Sequence, residues 1–266
     1  MGVIKVRDVT ESNIDDAFSV CSHNKLDDPL QRQGIELRRR WILDMLDEYG
    51  PCVKVAYLDG KPAAQLLFYP EKVAPFIPKS RVGVMLLRCV YNPFKEAQGR
   101  VVSTALMKNF VEECRAMPKS LKGSSCRFIA TEAFNTGEGI PMEKFYASNG
   151  FVKRGEEMIL KINGRYTSPH RFNYSPDPED RGKAFTIYNP TCEYSFPFAT
   201  RVRDIIRVTY PELPLKLINQ WEDPSESIRL ANHWLIVNGV QIKSSLHDRG
   251  ALNREISRAV EKVTRR

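Results

Sequence analysis

Apolar and polar positions alternate over Ile4–Val9, the two-residue period of a strand. The period then lengthens: Ile14, Ala17, Phe18 and Cys21 fall on one helical face, with Thr10 or Ser12 placed to cap it. A longer amphipathic helix gathers Ile35, Trp41, Ile42, Met45 and Leu46, and Gly50-Pro51 stops it. Cys52–Leu58 and Pro62–Tyr69 read as a hairpin about Asp59-Gly60. The prolines at 70, 75 and 78 predict an irregular excursion from Pro70 to Ser80. Val82–Tyr91 is nearly continuous in apolar residues, as a strand covered on both faces should be. It ends at Asn92-Pro93, and helical spacing follows from about Val101 to Arg115. Cys126–Glu132 is a second buried strand, Met142–Ser148 a short helix closed by Asn149-Gly150, and Phe151–Ile162 an extended finish.

From Asn163 to Lys183 the periodicity collapses into a polar stretch broken by Pro169, Pro176 and Pro178, which predicts a linker or long surface loop. A second unit then begins. Ala184–Tyr188 is a strand, Phe198–Thr209 a helix, Leu213–Asn219 a strand and Ser225–Leu230 a short helix. Trp234–Val237 and Val240–Lys243 flank Asn238-Gly239, a strong hairpin signal, and a last helix carries Leu252, Ile256, Val260 and Val263. The predicted order βαβαββα suits a small α/β sandwich.

The chain's 266 residues are comfortable for two small domains. No apolar run approaches the roughly 18 residues of a membrane span, and Met1–Asp8 reads as a strand, not as a signal peptide; a cytoplasmic location is the simplest expectation. Cys21, Cys52, Cys89, Cys114, Cys126 and Cys192 show no CxxC pair, and His23, His170, His233 and His247 are dispersed, so neither a zinc site nor a disulfide framework is expected. The net charge of +8 attracts anions in general. Its clusters, Arg38-Arg39-Arg40 and Arg254, Arg258, Lys262, Arg265 and Arg266, are interrupted or flanked by acids and read as solvated helix faces before nucleic-acid contacts.

Candidate chemistry sits where a strand, a proline-ended loop and a helix succeed one another. A helix N-terminus offers unpaired amides and the positive end of a dipole, and together these bind phosphate. Here the entry is Lys95-Glu-Ala-Gln-Gly-Arg100, with flexible Gly99 and cationic Arg100.

At Gln98-Gly-Arg-Val-Val-Ser-Thr-Ala-Leu106 the chain resembles the GNAT superfamily of CoA-dependent N-acetyltransferases, whose signature is Gln/Arg-x-x-Gly-x-Gly/Ala followed by a small residue and leucine. Gln98 takes the first position, and Val101 and Ser103 stand where the family has its two glycines. Phe145-Tyr-Ala-Ser-Asn-Gly-Phe151 is similar to a second family element, Phe/Leu-Tyr-x-x-x-Gly-Phe. The resemblance spans roughly Ile4 to Ile162. It implies a mixed, mostly antiparallel central sheet flanked by helices, and acetyl-CoA as co-substrate. It implies that Gln98, Gly99, Arg100, Val101, Val102 and Ser103 hold the pyrophosphate. The strand Val84–Val90, with Leu87, Cys89 and Val90, would then offer backbone to the pantetheine arm. Arg127–Glu132 would splay away to admit both substrates, and Tyr146 would protonate the departing thiolate. A base must also take a proton from the acceptor ammonium; Glu132 leads as candidate and Glu71 is another. Acceptor loops are placed at His23–Gly34 and Pro70–Ser80.

In the second unit, Cys192-Glu-Tyr-Ser195 lies between strand and helix, where a thiol is expected to have a lowered pKa. Its C-x-x-S spacing and element order resemble a thioredoxin-like domain, and the tandem resembles acetyltransferases with a YoaP-like C-terminal domain. Asn232-His233 replaces the usual proline, and no resolving cysteine is present, so dithiol exchange is not expected. Cys192 and Ser195 are left as either a monothiol or binding site, or a cysteine simply packed at the helix start. The resulting expectation is an acetyltransferase domain over 1–163, a linker over 164–183 and a thioredoxin-like domain over 184–266. The enzyme would acetylate a small-molecule or peptide amine, with no membrane or metal involved. The alternative is an acyl-CoA-sensing protein carrying a monothiol module.

Overall fold

The computed structural model describes residues 2–116, 118–134, 140–244 and 248–264, the side chains of 262–264 excepted. Met1, His247, Arg265 and Arg266, and the side chains of Lys262 and Val263, lie outside that description. No described helix is long and apolar enough to cross a membrane. The chain divides into two units. One comprises Met1–Asp27, Arg39–Ala74 and Lys79–Pro169; the other comprises Asp28–Arg38, Pro75–Pro78 and His170–Arg266.

The first unit begins with β1 (Ile4–Asp8) and α1 (Ile14–Cys21), followed by α2 (Pro29–Tyr49), of which the part from Arg39 belongs here. The hairpin β2 (Val53–Leu58) and β3 (Lys61–Pro70) turns on Asp59 and Gly60. Their φ values of 51° and 85° are the two positive angles that a tight hairpin demands. Then come β4 (Val84–Tyr91), α3 (Val102–Arg115), β5 (Phe128–Glu132), α4 (Met142–Ser148), β6 (Val152–Arg154) and β7 (Glu157–Lys161). The predicted extended stretch 151–162 is thus a hairpin, folded at Gly155, whose φ of 63° suits a turn.

These strands form one seven-stranded sheet in the order β1-β2-β3-β4-β5-β7-β6. Only β4 and β5 run parallel. Alternation along β3 sends Leu66 and Phe68 into a core shared with Leu106, Met107 and Phe110 of α3 and with Tyr146 of α4. The ring of Tyr69, of opposite parity to those two, meets Trp41 of α2 edge-on at 5.7 Å. Helices thus cover both faces, which explains the unbroken apolar run at the start of β4.

One buried ion cluster ties three segments of this unit. Arg81 donates from Nε and Nη2 to Glu71, and from Nη1 and Nη2 to Glu157 at 2.8 and 2.7 Å. Its Nη1 also reaches the Thr167 carbonyl at 2.8 Å, and the Tyr166 hydroxyl donates to Glu157 at 3.0 Å. All three charged side chains are buried. The two carboxylates hold the guanidinium pKa above its usual value, against the desolvation that would lower it.

The second unit contains β8 (Ala184–Tyr188), α5 (Ser195–Thr209), β9 (Leu215–Asn219), α6 (Pro224–Arg229), β10 (Leu235–Val237), β11 (Val240–Gln241) and α7 (Arg249–Thr264). Its sheet order is β11-β10-β8-β9, with β8 and β9 parallel and the remaining pairs antiparallel. Val202 and Ile206 of α5 pack with Leu252, Ile256 and Ala259 of α7 against Leu235 and Val237. The helix α5 begins three residues before the periodicity predicted, because Pro197 falls in its first turn, where a missing amide is tolerated.

One expectation is corrected here. Arg38 is not on a solvated helix face: it is 1% exposed and pairs with Glu193 at 2.6 Å. The helical period places it in line with Gln31 and Gly34, so it shares their buried stripe; Gln31 Nε2 donates to the Glu193 carbonyl at 3.3 Å.

Candidate functional site

After β4 the chain turns at Asn92, whose side-chain amide donates to the Ala97 carbonyl at 3.2 Å, while Gln98 Nε2 reaches back to the Asn92 carbonyl at 3.4 Å. Gln98, Gly99 and Arg100 are exposed. Gly99 has a φ of 72°, natural for glycine. Val101 then caps α3 in the left-handed region, with a φ of 55° and 65% of its surface exposed. The first intrahelical bond runs from the Ala105 amide to the Val101 carbonyl at 2.8 Å. The amides of Val102, Ser103 and Thr104 precede it, and no side chain caps them. Val102, 1% exposed, anchors this turn in the core, while Ser103 is half-buried.

Val101 is therefore conformationally costly as well as large. A β-branched residue at positive φ is a genuine outlier, and the left-handed region costs an L-residue about 1–2 kcal/mol. Its exposed side chain contributes little packing in return. Val101→Gly is expected to stabilise the protein by about 1 kcal/mol, since the relief exceeds glycine's extra entropy loss of about 0.5–1 kcal/mol. Urea unfolding checks this: a variant less stable than the parent would show that the strain is offset by contacts of the valine.

Further along the sheet, β4 and β5 part. They pair at Val84↔Phe128, Met85↔Ile129 and Leu86↔Ala130, and the pairing stops there although both strands continue. Leu87 is buried and Cys89 and Val90 are half-buried beyond that point. On its other edge β4 carries a bulge: Leu67 pairs with Cys89 and Phe68 with Leu87, leaving Arg88 as the extra residue. A bulge bends the strand and re-aims the inserted side chain. Arg88 is exposed, and among the described residues it makes no salt bridge or hydrogen bond. The phenol of Tyr69, then Glu132 and Tyr146, raise its pKa against desolvation, so these groups surround the guanidinium without touching it.

Tyr146 is fully buried on α4, with its ring 5.8 Å from that of Phe145 and 5.5 Å from that of Phe151. Among the described residues its hydroxyl makes no hydrogen bond. Desolvation pushes its pKa up to about 12; Thr131 lies close enough to lower it somewhat, but outside hydrogen-bond geometry. The phenol consequently keeps its proton at neutral pH and is chemically an acid there. A buried polar atom with no partner ordinarily costs about 1–3 kcal/mol, so its presence asks for a ligand.

Glu132 ends β5, exposed. Glu71, the other candidate base, is not available: it is 2% exposed and both its oxygens bind Arg81. The sequence pattern does not single out Arg88, because it lies inside an otherwise apolar strand. The signal was present as a single arginine inside Val84-Met-Leu-Leu-Arg-Cys-Val-Tyr91, but the bulge that re-aims it has no local signature.

In the second unit, the Cys192 loop is pinned by polar contacts. Ser195 Oγ accepts from the Asn189 amide at 2.8 Å, and the Asn189 side chain bonds Gln220 at 2.9 Å and the Trp221 indole at 3.1 Å. Cys192 is exposed, yet the protein around its sulfur raises the thiol pKa. The amides of Tyr194 and Ser195 and the charge of Arg38 oppose that shift without cancelling it. This reverses the expectation of a lowered pKa. Desolvation of the sulfur is the larger effect, so the amides at the start of α5 do not bring the thiol below its ordinary value. Ser195 is occupied in fixing the loop.

Neither a sequence family nor any curated protein matches this chain. Among solved structures it is similar to a GNAT family acetyltransferase from Brucella melitensis in complex with acetyl-CoA, at 13% identity over 63% of this chain and 94% of that one, with a TM-score of 0.42. It is similar to Ard1 from Thermoplasma volcanium at 14% identity over 60% and 97% of the two chains, with a TM-score of 0.41. The ribosomal-protein-S18-alanine N-acetyltransferase of Escherichia coli is similar at 12% identity over 64% and 100%, with a TM-score of 0.39.

Proposed function

We propose that this protein is an acetyl-CoA-dependent N-acetyltransferase of the GNAT type, which transfers acetyl directly to an amine. The observation that carries the reading is the buried hydroxyl of Tyr146, which has no hydrogen-bond partner among the described residues, beside the gap where β4 and β5 part. The uncapped amides of Val102, Ser103 and Thr104, with Arg100 beside them, suit a pyrophosphate. Among the described residues β4 and β5 stop pairing after Leu86, and a strand that parts from its neighbour in this way suits the entry of a pantetheine arm.

In this reading the acceptor ammonium first loses a proton, with Glu132 receiving it directly or through water. The amine nitrogen attacks the thioester carbonyl; a C–N bond forms and the C–S bond breaks. Tyr146 donates its proton to the departing sulfur, and solvent later restores it. The acetyltransferase unit is assigned to residues 1–163, with a linker over 164–183. For residues 184–266, the sheet order β11-β10-β8-β9 with one parallel pair supports a thioredoxin-like unit. The raised thiol pKa of Cys192 favours binding over redox exchange there.

The test is calorimetry with acetyl-CoA followed by thiol release over a panel of amines. Acetyl-CoA binding with release of CoA on at least one amine is expected. Binding without release on every amine would replace the enzyme by a sensor, and absence of binding would remove both.

A further inference from the structure

Arg88 and Glu132 occupy matching places on two strands that have just separated. The last paired residues are Leu86 of β4 and Ala130 of β5, and each charged residue lies two positions further on. Continued pairing would hold the strands about 4.8 Å apart with both side chains on one face, close enough for an ion pair. No such pair forms. Both residues are exposed, and neither makes a salt bridge or hydrogen bond among the described residues.

An unpaired arginine on an outer helix would need no explanation. This one stands on the fourth strand of seven, at a bulge that turns it out of the ladder, beside the gap. The groups that face it are Tyr69 from β3, Glu132 from β5, Tyr146 from α4 and Cys89 from its own strand. The electrostatic neighbours of Arg88 are thus two phenols, a thiol and one separated carboxylate, none of which neutralises it by contact. A planar guanidinium with its donors free is suited to a bidentate oxyanion. The carboxylate across the gap is suited to an ammonium.

We infer that the acceptor is a zwitterion, an amine carrying a carboxylate or phosphate, whose oxyanion binds Arg88 while its ammonium end faces Glu132. This rests on the acetyltransferase reading above and narrows it to one substrate class. Arg88 acts as a specificity residue: it positions the acceptor so that the nitrogen enters the gap, and takes no part in the proton transfers.

The experiment compares the wild type with Arg88→Ala and Arg88→Lys in thiol release. The acceptors are free amino acids, aminoalkyl phosphates, and the amides and methyl esters of the same amino acids; acetyl-CoA binding is followed by calorimetry. The wild type is expected to prefer one oxyanion-bearing class over the matching amides by about 10- to 100-fold in kcat/KM, the worth of one charge-assisted contact. Arg88→Ala should erase that preference, mainly through KM, and Arg88→Lys should restore part of it as a point charge. The carboxylate and phosphate arms identify which oxyanion is read. Acetyl-CoA bound by both variants as by the wild type shows that they are folded. Turnover of uncharged amines equal to or better than that of the zwitterions overturns the inference and leaves the acetyltransferase standing. So does an equal loss on every acceptor in Arg88→Ala. Failure to bind acetyl-CoA, or to release thiol on any amine, overturns both.

Discussion

Tyr146→Phe is expected to lower kcat by about 10²- to 10⁴-fold, the range of a positioned general acid, while acetyl-CoA affinity stays within about twofold. The expectation follows from burial. The phenol's pKa is pushed up to about 12 by desolvation, so the group holds its proton throughout the physiological range and can act only as a donor there. The same substitution should leave the fold intact or stabilise it by about 1 kcal/mol, because it removes a buried hydroxyl that has no partner and keeps the ring. Those two effects have opposite signs, which separates a catalytic hydroxyl from a structural one. A structural hydroxyl would show reduced stability with unchanged turnover, and that outcome would falsify the role given to Tyr146.

Arg81→Met should be the most damaging single substitution in the first unit. It strands Glu71 and Glu157 in the interior, and removing one partner of a buried ion pair costs about 3–5 kcal/mol. The loss is expected to appear as a fall in Tm of roughly 10 °C for a protein of this size. Replacing all three groups together, with Glu71→Gln and Glu157→Leu added, should recover much of the loss, since uncharged substitutes of similar volume leave no desolvated charge. Thermal unfolding of the single and triple variants measures both. A single variant within about 1 kcal/mol of the wild type would mean that water reaches the cluster.

Most of the secondary structure was legible because each element carries its own period. The helix Met142–Ser148 and the strand Ala184–Tyr188 are found where the pattern placed them. Boundaries slipped where local chemistry was ambiguous: a proline in the first turn of α5, and a glycine that folds 151–162 into two strands instead of one. Charge patterning misled more. Arg38 looked like one of three solvated arginines, but only the partner at Glu193, far away in sequence, decides that it is buried. Glu71 looked like a free carboxylate until Arg81 claimed both its oxygens. The place of Cys192 just before α5 suggests an activated thiol, but desolvation of the sulfur by the surrounding fold raises its pKa instead.

For the candidate site, the sequence alone determined the loop-to-helix turn at Gln98–Leu106 and the short helix carrying Tyr146, because motif spacing and helical period are local properties. The tertiary structure alone decided what those residues face. The bulge at Arg88 depends on the register of β3 against β4, and the gap depends on where β4 and β5 stop pairing. The isolation of the Tyr146 hydroxyl depends on every group packed around it. Register, strand divergence and desolvation are sums over residues distant in the chain, and no window of sequence contains them.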